Sequence, residues 1–140
     1  MRLVVDTDVL VAGMRSPSGA SAALLVLLLE RQATILLSVA MAFEYESTCL
    51  RAEHLLAAKV SEADARDMID AMIDVIEAVE LHYQWRPQLP DPDDDMVLEA
   101  AVNGRADAIV TFNRKDYGAV PGRFGIEVLS PAEALRRVRK

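Results

Sequence analysis

With 140 residues, 52% of them hydrophobic and 26% charged, the chain can bury a normal core and falls outside the disordered class. Its formal net charge of −7 argues against holding nucleic acid by bulk attraction, although bound divalent cations would reverse the field locally. Cys49 is the single cysteine and His54 and His82 are the only histidines, so a disulfide framework is excluded and a zinc cluster disfavoured; a reducing, cytoplasmic setting is expected.

Leu3 to Val5 is a short, continuous apolar run rich in β-branched residues, as a buried parallel strand requires. The chain enters this strand at once, so no export signal is expected. Pro17 and Gly19 mark a loop. Ala20 to Gln32 predict a helix that is apolar nearly all round from Leu24 to Leu29. Such a helix is buried on more than one side, in the core or against a second subunit or partner, and this one is too short to span a bilayer. A second strand is predicted over Thr34 to Ser38, leading into helical sequence through Leu50.

Ser61, with Asp64 three residues on, predicts a capped helix start, followed by Ala65, Met68, Ile69, Met72, Ile73 and Ile76 on one face. A third strand is expected near Val79 to His82, and Pro87 and Pro90 then break the chain. Met96 to Asn103 predicts a helix, with Gly104 where a left-handed cap would sit. Ala108 to Thr111 and Ile126 to Leu129 are the fourth and fifth strands, and Pro131 opens a last helix. Its basic end, Arg136, Arg137, Arg139 and Lys140, is expected as a solvated helix terminus favoured by the macrodipole. The alternation predicts one α/β domain over residues 1–140: a three-layer α/β/α sandwich on a mainly parallel, about five-stranded sheet.

Four acidic positions, Asp6, Glu44, Asp95 and Asp116, stand where a strand should give way to a helix or loop. Ligands of parallel α/β sheets bind outside the carboxyl ends of the strands. Carboxylates converging there repel one another unless a hard cation joins them. Each position also has a bland explanation. Asp6 can cap the next helix, Glu44 can be solvated, and one acid of Asp91–Asp95 suffices to cap the helix that follows. A calcium loop of the EF-hand kind fails, because Met96 stands where its glycine is needed and Val102 at its twelfth position. Trp85 beside Arg86 could stack on a base or simply pack in a loop. Cys49, His54 and His82 are expected to be packing or surface residues. Neither a Gly-x-Gly-x-x-Gly turn nor a Gly-Lys-Ser/Thr loop is present, which disfavours dinucleotide binding and P-loop hydrolysis.

The run from Leu3 through Asp6-Thr7-Asp8 to Gly13 resembles the first motif of PIN-domain ribonucleases. Ser16 to Ala22 is similar to a loop of a bacterial group within them, the VapC-like toxins of toxin–antitoxin pairs. Glu44-Tyr45 falls where that group carries a helical Glu, and Asp91 to Asp95, Ala106 to Thr111, Asn113 and Asp116 resemble its remaining motifs. The resemblance covers essentially the whole chain. It implies Mg²⁺- or Mn²⁺-dependent endonucleolytic hydrolysis of RNA by a homodimer with a cognate antitoxin. It places Asp6 and Asp95 as principal ligands, with Glu44 and Asp116 completing the catalytic set. Asp94 would be an outer or alternative ligand, and Thr111 and Asn113 would orient ligands or water. Two departures stand out: Asp8 occupies a place where Asn is commoner, and Asn113 one where many relatives have Asp. The alternatives are an inactive PIN-like binding module and a phosphatase like the haloacid dehalogenases, with Asp6 as nucleophile and Asp8 as acid/base. For the latter the expected Thr is missing, Leu10 standing in its place.

Overall fold

The structure, a computed structural model, describes residues 1–82 and 89–140; Trp85, Arg86 and Pro87 lie outside the described residues. Five strands form one sheet: β1 (Arg2–Val5), β2 (Thr34–Leu37), β3 (Glu77–Ala78), β4 (Ala108–Val110) and β5 (Glu127–Leu129). Their spatial order is β3-β2-β1-β4-β5 and every pairing is parallel. Leu3 sits opposite Ile35 on one side and Ala108 on the other, so β1 is central, and its Leu3, Val4 and Val5 are fully buried. A strand hidden on both faces needs apolar side chains at every position, which explains the unbroken run.

The helices are α1 (Thr7–Arg15), α2 (Ala20–Leu29), α3 (Val39–Cys49), α4 (Ala52–Ala58), α5 (Glu62–Val75), α6 (Pro92–Asn103), α7 (Arg114–Tyr117) and α8 (Pro131–Arg139). Right-handed crossovers send the connections β1→β2→β3 over one face and β3→β4→β5 over the other, giving three layers. On the first face α2 packs against α1, α5 and α8; α6 lies against β1, β2 and β4. Most of α2 is therefore core, with Leu24 and Leu28 fully buried, and the large apolar side chains it leaves exposed are Val26 and Leu29. Ser61 and Asp64 form the expected capping box at the start of α5.

Several boundaries differ from expectation, each for a local reason. The third strand is Glu77–Ala78 rather than Val79–His82; both its residues are exposed at the sheet edge, so no apolar run announces it. Val79 still donates its N–H to Leu37 O at 2.9 Å. The predicted helix to Gln32 stops at Leu29, because Arg31 takes a left-handed φ of 59°. Helix α6 begins at Pro92, not Met96: Asp91 accepts from Asp93 N and Pro92 occupies the first turn, where its missing N–H costs nothing. The acidic cluster is thus the first turn of the helix. Gly104 has a right-handed φ of −85°, and Arg105 next to it takes the left-handed one. Glycine at 104 answers a steric need instead, since a Cβ would stand 2.9 Å from both Ala100 O and Val79 Cγ2. Among the described residues no single helix is long and apolar enough to cross a membrane.

Candidate functional site

The chain runs from β1 to β2 on one side of the sheet and later fills the other side with β4, so the strand order reverses between β1 and β4. The crevice at such a switch point is the usual ligand site of an open α/β sheet. Asp6 stands there, directly after β1, and its N–H donates to Val110 O at 2.9 Å, which locks the two strand ends together. One carboxylate oxygen caps α1, accepting the Thr7 N–H at 2.8 Å. The other accepts the hydroxyls of Thr111 and Tyr117, both at 2.9 Å. Capping and site chemistry are therefore carried by opposite oxygens of one side chain. Burial pushes the Asp6 carboxyl above its ordinary range, the negative charge of Glu44 adds to this, and the bonds from Thr111, Tyr117 and Thr7 oppose it.

Thr111 is buried just beyond β4, and Tyr117, at the end of α7, is fully buried. Burial and the neighbouring charges of Asp6 and Asp94 keep the Tyr117 phenol protonated, a hydrogen-bond donor at any working pH. The Tyr45 hydroxyl donates to Val5 O beneath Asp6. Neither tyrosine is assigned a role by the sequence reasoning; the only hint for Tyr117 is its place beside Asp116.

Asp8, in the first turn of α1, reaches the segment after β4. Its Oδ2 accepts from Asn113 Nδ2 at 3.0 Å and Phe112 N at 3.2 Å and lies 3.4 Å from Thr111 Oγ1. Burial, then the adjacent Asp6 charge, pushes the Asp8 carboxyl up to about 6. Thr111 and Asn113 thus touch the acids they were expected to orient.

On α6 the two neighbouring acids separate. Asp94 is half-buried and feels Asp6, Asp91 and Asp116; desolvation first, then these charges, push it up to about 6, with the Tyr117 hydroxyl only partly opposing. Asp95 is 2% exposed, and its Oδ1 accepts the Leu89 N–H at 3.1 Å, on the segment leading into the helix. The acid of α6 in electrostatic contact with Asp6 and Asp116 is Asp94. Glu44 is half-buried in α3, accepts from Thr48 Oγ1 at 2.9 Å, and acts on both Asp6 and Asp93. Asp116 is exposed on α7.

A cavity of about 270 Å³ opens beside these groups, with Asp6, Asp8, Glu44 and Asp93 on its polar side and Met41, Met96 and Val97 on its apolar side. His54 also lines it, with Nδ1 buried and unbonded. Among the described residues, no salt bridge joins Asp6, Asp8, Glu44, Asp94 or Asp116 to a lysine or arginine. Nor do three or more His, Cys, Asp or Glu side chains close around a single point as a complete metal cage. Two carboxylates raised by mutual repulsion, with open space beside them, suit a cation that retains water and completes its shell with substrate oxygens.

The chain matches a family model described as the PIN domain over residues 2–115. No curated protein matches it in sequence. A solved chain from the crystal structure of VapBC2 from Rickettsia felis, bound to a DNA fragment from their promoter, superposes with a TM-score of 0.64 and 14% identity. That alignment covers 93% of this chain and 98% of the other; at such an identity it speaks to the fold.

Proposed function

The chain belongs to the PIN-domain family, and on that premise we propose that it is a divalent-metal-dependent endoribonuclease acting as the toxin of a toxin–antitoxin pair. The observation that carries this is the uncompensated convergence of Asp6 and Asp94 at the switch point, with Glu44 and Asp116 beside them. Asp6 and Asp94 would hold Mg²⁺ or Mn²⁺, with Asp116 and Glu44 completing the set. Asp95 is assigned to the helix start, where it holds Leu89 N. When bound, the ion would supply a more acidic attacking water and offset charge on the phosphate.

The protein's own groups do the positioning. Thr111 and Tyr117 fix one oxygen of Asp6 and Thr7 N the other, so the carboxylate cannot swing when substrate arrives. Thr111 also accepts from Asn113 N at 3.0 Å, which fixes the direction in which its hydroxyl proton points. Nothing here needs a covalent nucleophile. The same three donors on Asp6 disfavour the phosphatase alternative, since they would quench its attack on phosphorus.

The antitoxin is placed on α3 and α4, where Val39, Phe43 and Leu56 are 73%, 68% and 79% exposed. Phe43 is adjacent to Glu44, so an apolar segment docked there could carry an Arg or Lys to the acids.

The test is cleavage of a mixed single-stranded RNA in Mn²⁺ by the purified chain and by Asp6→Asn. Products that vanish both in EDTA and in the variant establish the activity. Undiminished cleavage by Asp6→Asn overturns the site. Absence of cleavage, together with no detectable Mn²⁺ binding by calorimetry, would favour the inactive binding module.

A further inference from the structure

We propose that Asp8 is a positioning residue whose carboxylate, paired directionally with the Asn113 amide, clasps the β4–α7 loop to α1 and thereby holds Thr111 and Tyr117 on Asp6. Its structural part stands without the proposed activity; only its kinetic consequence rests on that activity.

The loop in question, residues 111–113, has little else to anchor it. The Phe112 side chain is 55% exposed, so packing does not hold it. Its backbone is held by Asp8, which accepts Phe112 N–H at 3.2 Å. Asn113 occupies the N-cap position of α7 yet makes no capping bond with its side chain. Its amide instead donates to Asp8 Oδ2 at 3.0 Å. A side chain that forgoes a cap worth about 1 kcal/mol is committed to a different contact. Immediately beyond the loop comes α7, which carries Tyr117 at its end. Displacing residues 111–113 therefore displaces two of the three donors on Asp6.

The pairing has a direction. Asp8 Oδ2 meets only donors, and Oδ1 is buried without a hydrogen bond. An amide at position 8 would turn either its NH₂ toward Asn113, facing donor with donor, or leave that NH₂ buried and unpaired where Oδ1 now sits. An acid at position 113 would put two carboxylates 3 Å apart, which repel. The two departures from the family pattern are therefore in contact, and they form one exchange of donor and acceptor instead of two separate losses.

The experiment is a double-mutant cycle of Asp8→Asn, Asn113→Asp and the combined variant, melted in EDTA so that no metal contributes. Asn113→Asp alone is expected to lower Tm by about 5 °C, and the combined variant to return to within about 2 °C of the parent. With RNA and Mn²⁺, kcat should fall about 10-fold in Asn113→Asp with KM little changed, and recover in the combined variant. If Asn113→Asp does not fold, Asp8→Ala and Asn113→Ala replace the pair, and their effects on Tm should fall short of additivity by about 3 °C. Additive Tm changes in the cycle overturn the clasp. Coupled Tm with a silent parent enzyme leaves the clasp standing and removes the proposed activity. Coupled Tm with kcat that does not recover confines Asp8 to stability and overturns its positioning role.

Discussion

Adjacent acids on α6 are predicted to respond in opposite ways. Asp94 is raised from the usual 3.8 to about 6 by desolvation and by Asp6, Asp91 and Asp116. Two pH units correspond to about 3 kcal/mol at 1.36 kcal/mol per unit. Because the side chain is only half-buried, solvent screening leaves about 1 kcal/mol of strain relieved when the charge is removed. Asp94→Asn should therefore raise Tm in EDTA by about 3 °C while reducing RNA cleavage at least 100-fold and abolishing stabilisation by Mn²⁺. Asp95→Ala should do the reverse. It strips the buried Leu89 N–H of its acceptor, costing about 1–3 kcal/mol or about 3–9 °C, and leaves cleavage per folded molecule within about 3-fold of the parent. Melts with and without Mn²⁺, and initial cleavage rates well below the lower melting point, read both arms. Loss of cleavage in folded Asp95→Ala, or a lower Tm for Asp94→Asn in EDTA, would refute the assignment.

Stability without metal should fall with pH across the same window. The folded carboxyls of Asp8 and Asp94 sit near 6 and their unfolded values near 3.8, so the native state binds more protons in between and loses stability as pH rises from about 4 to about 6. Denaturant melts in EDTA that show no such fall, or a slope unaltered by Asp94→Asn, would contradict this. Tyr117→Phe removes one of the two hydroxyls on Asp6 Oδ2; about 1 kcal/mol of stability and about 10-fold in kcat should go with it, while KM for RNA is unmoved. Ser61→Ala breaks a capping box remote from the acids, and a loss of about 1 kcal/mol with unchanged cleavage is the expected control, read from the same melts.

Features governed by short-range rules were legible in the chain: the apolar runs of β1, β2, β4 and β5, and the Ser61–Asp64 box. Asp91-Pro92 was legible too, as an N-cap followed by proline, although the charge of the cluster drew attention away from its role as a helix start. Strand β3 was not, because two exposed edge residues bear no hydrophobic signature. Motif likeness located Asp6, Glu44, Asp116 and the acids of α6, but it could not choose between Asp94 and Asp95. Successive helical residues point about 100° apart, and only the docking of α6 on the sheet decides which one meets Asp6. Thr111 and Tyr117 hold Asp6 from 105 and 111 residues away in sequence, and Asn113 reaches Asp8 across 105. Those contacts exist because β1 and β4 are hydrogen-bonded neighbours. Local sequence determined which segments become strands, helices and acidic turns; only the parallel pairing at the switch point decided which side chains share a site.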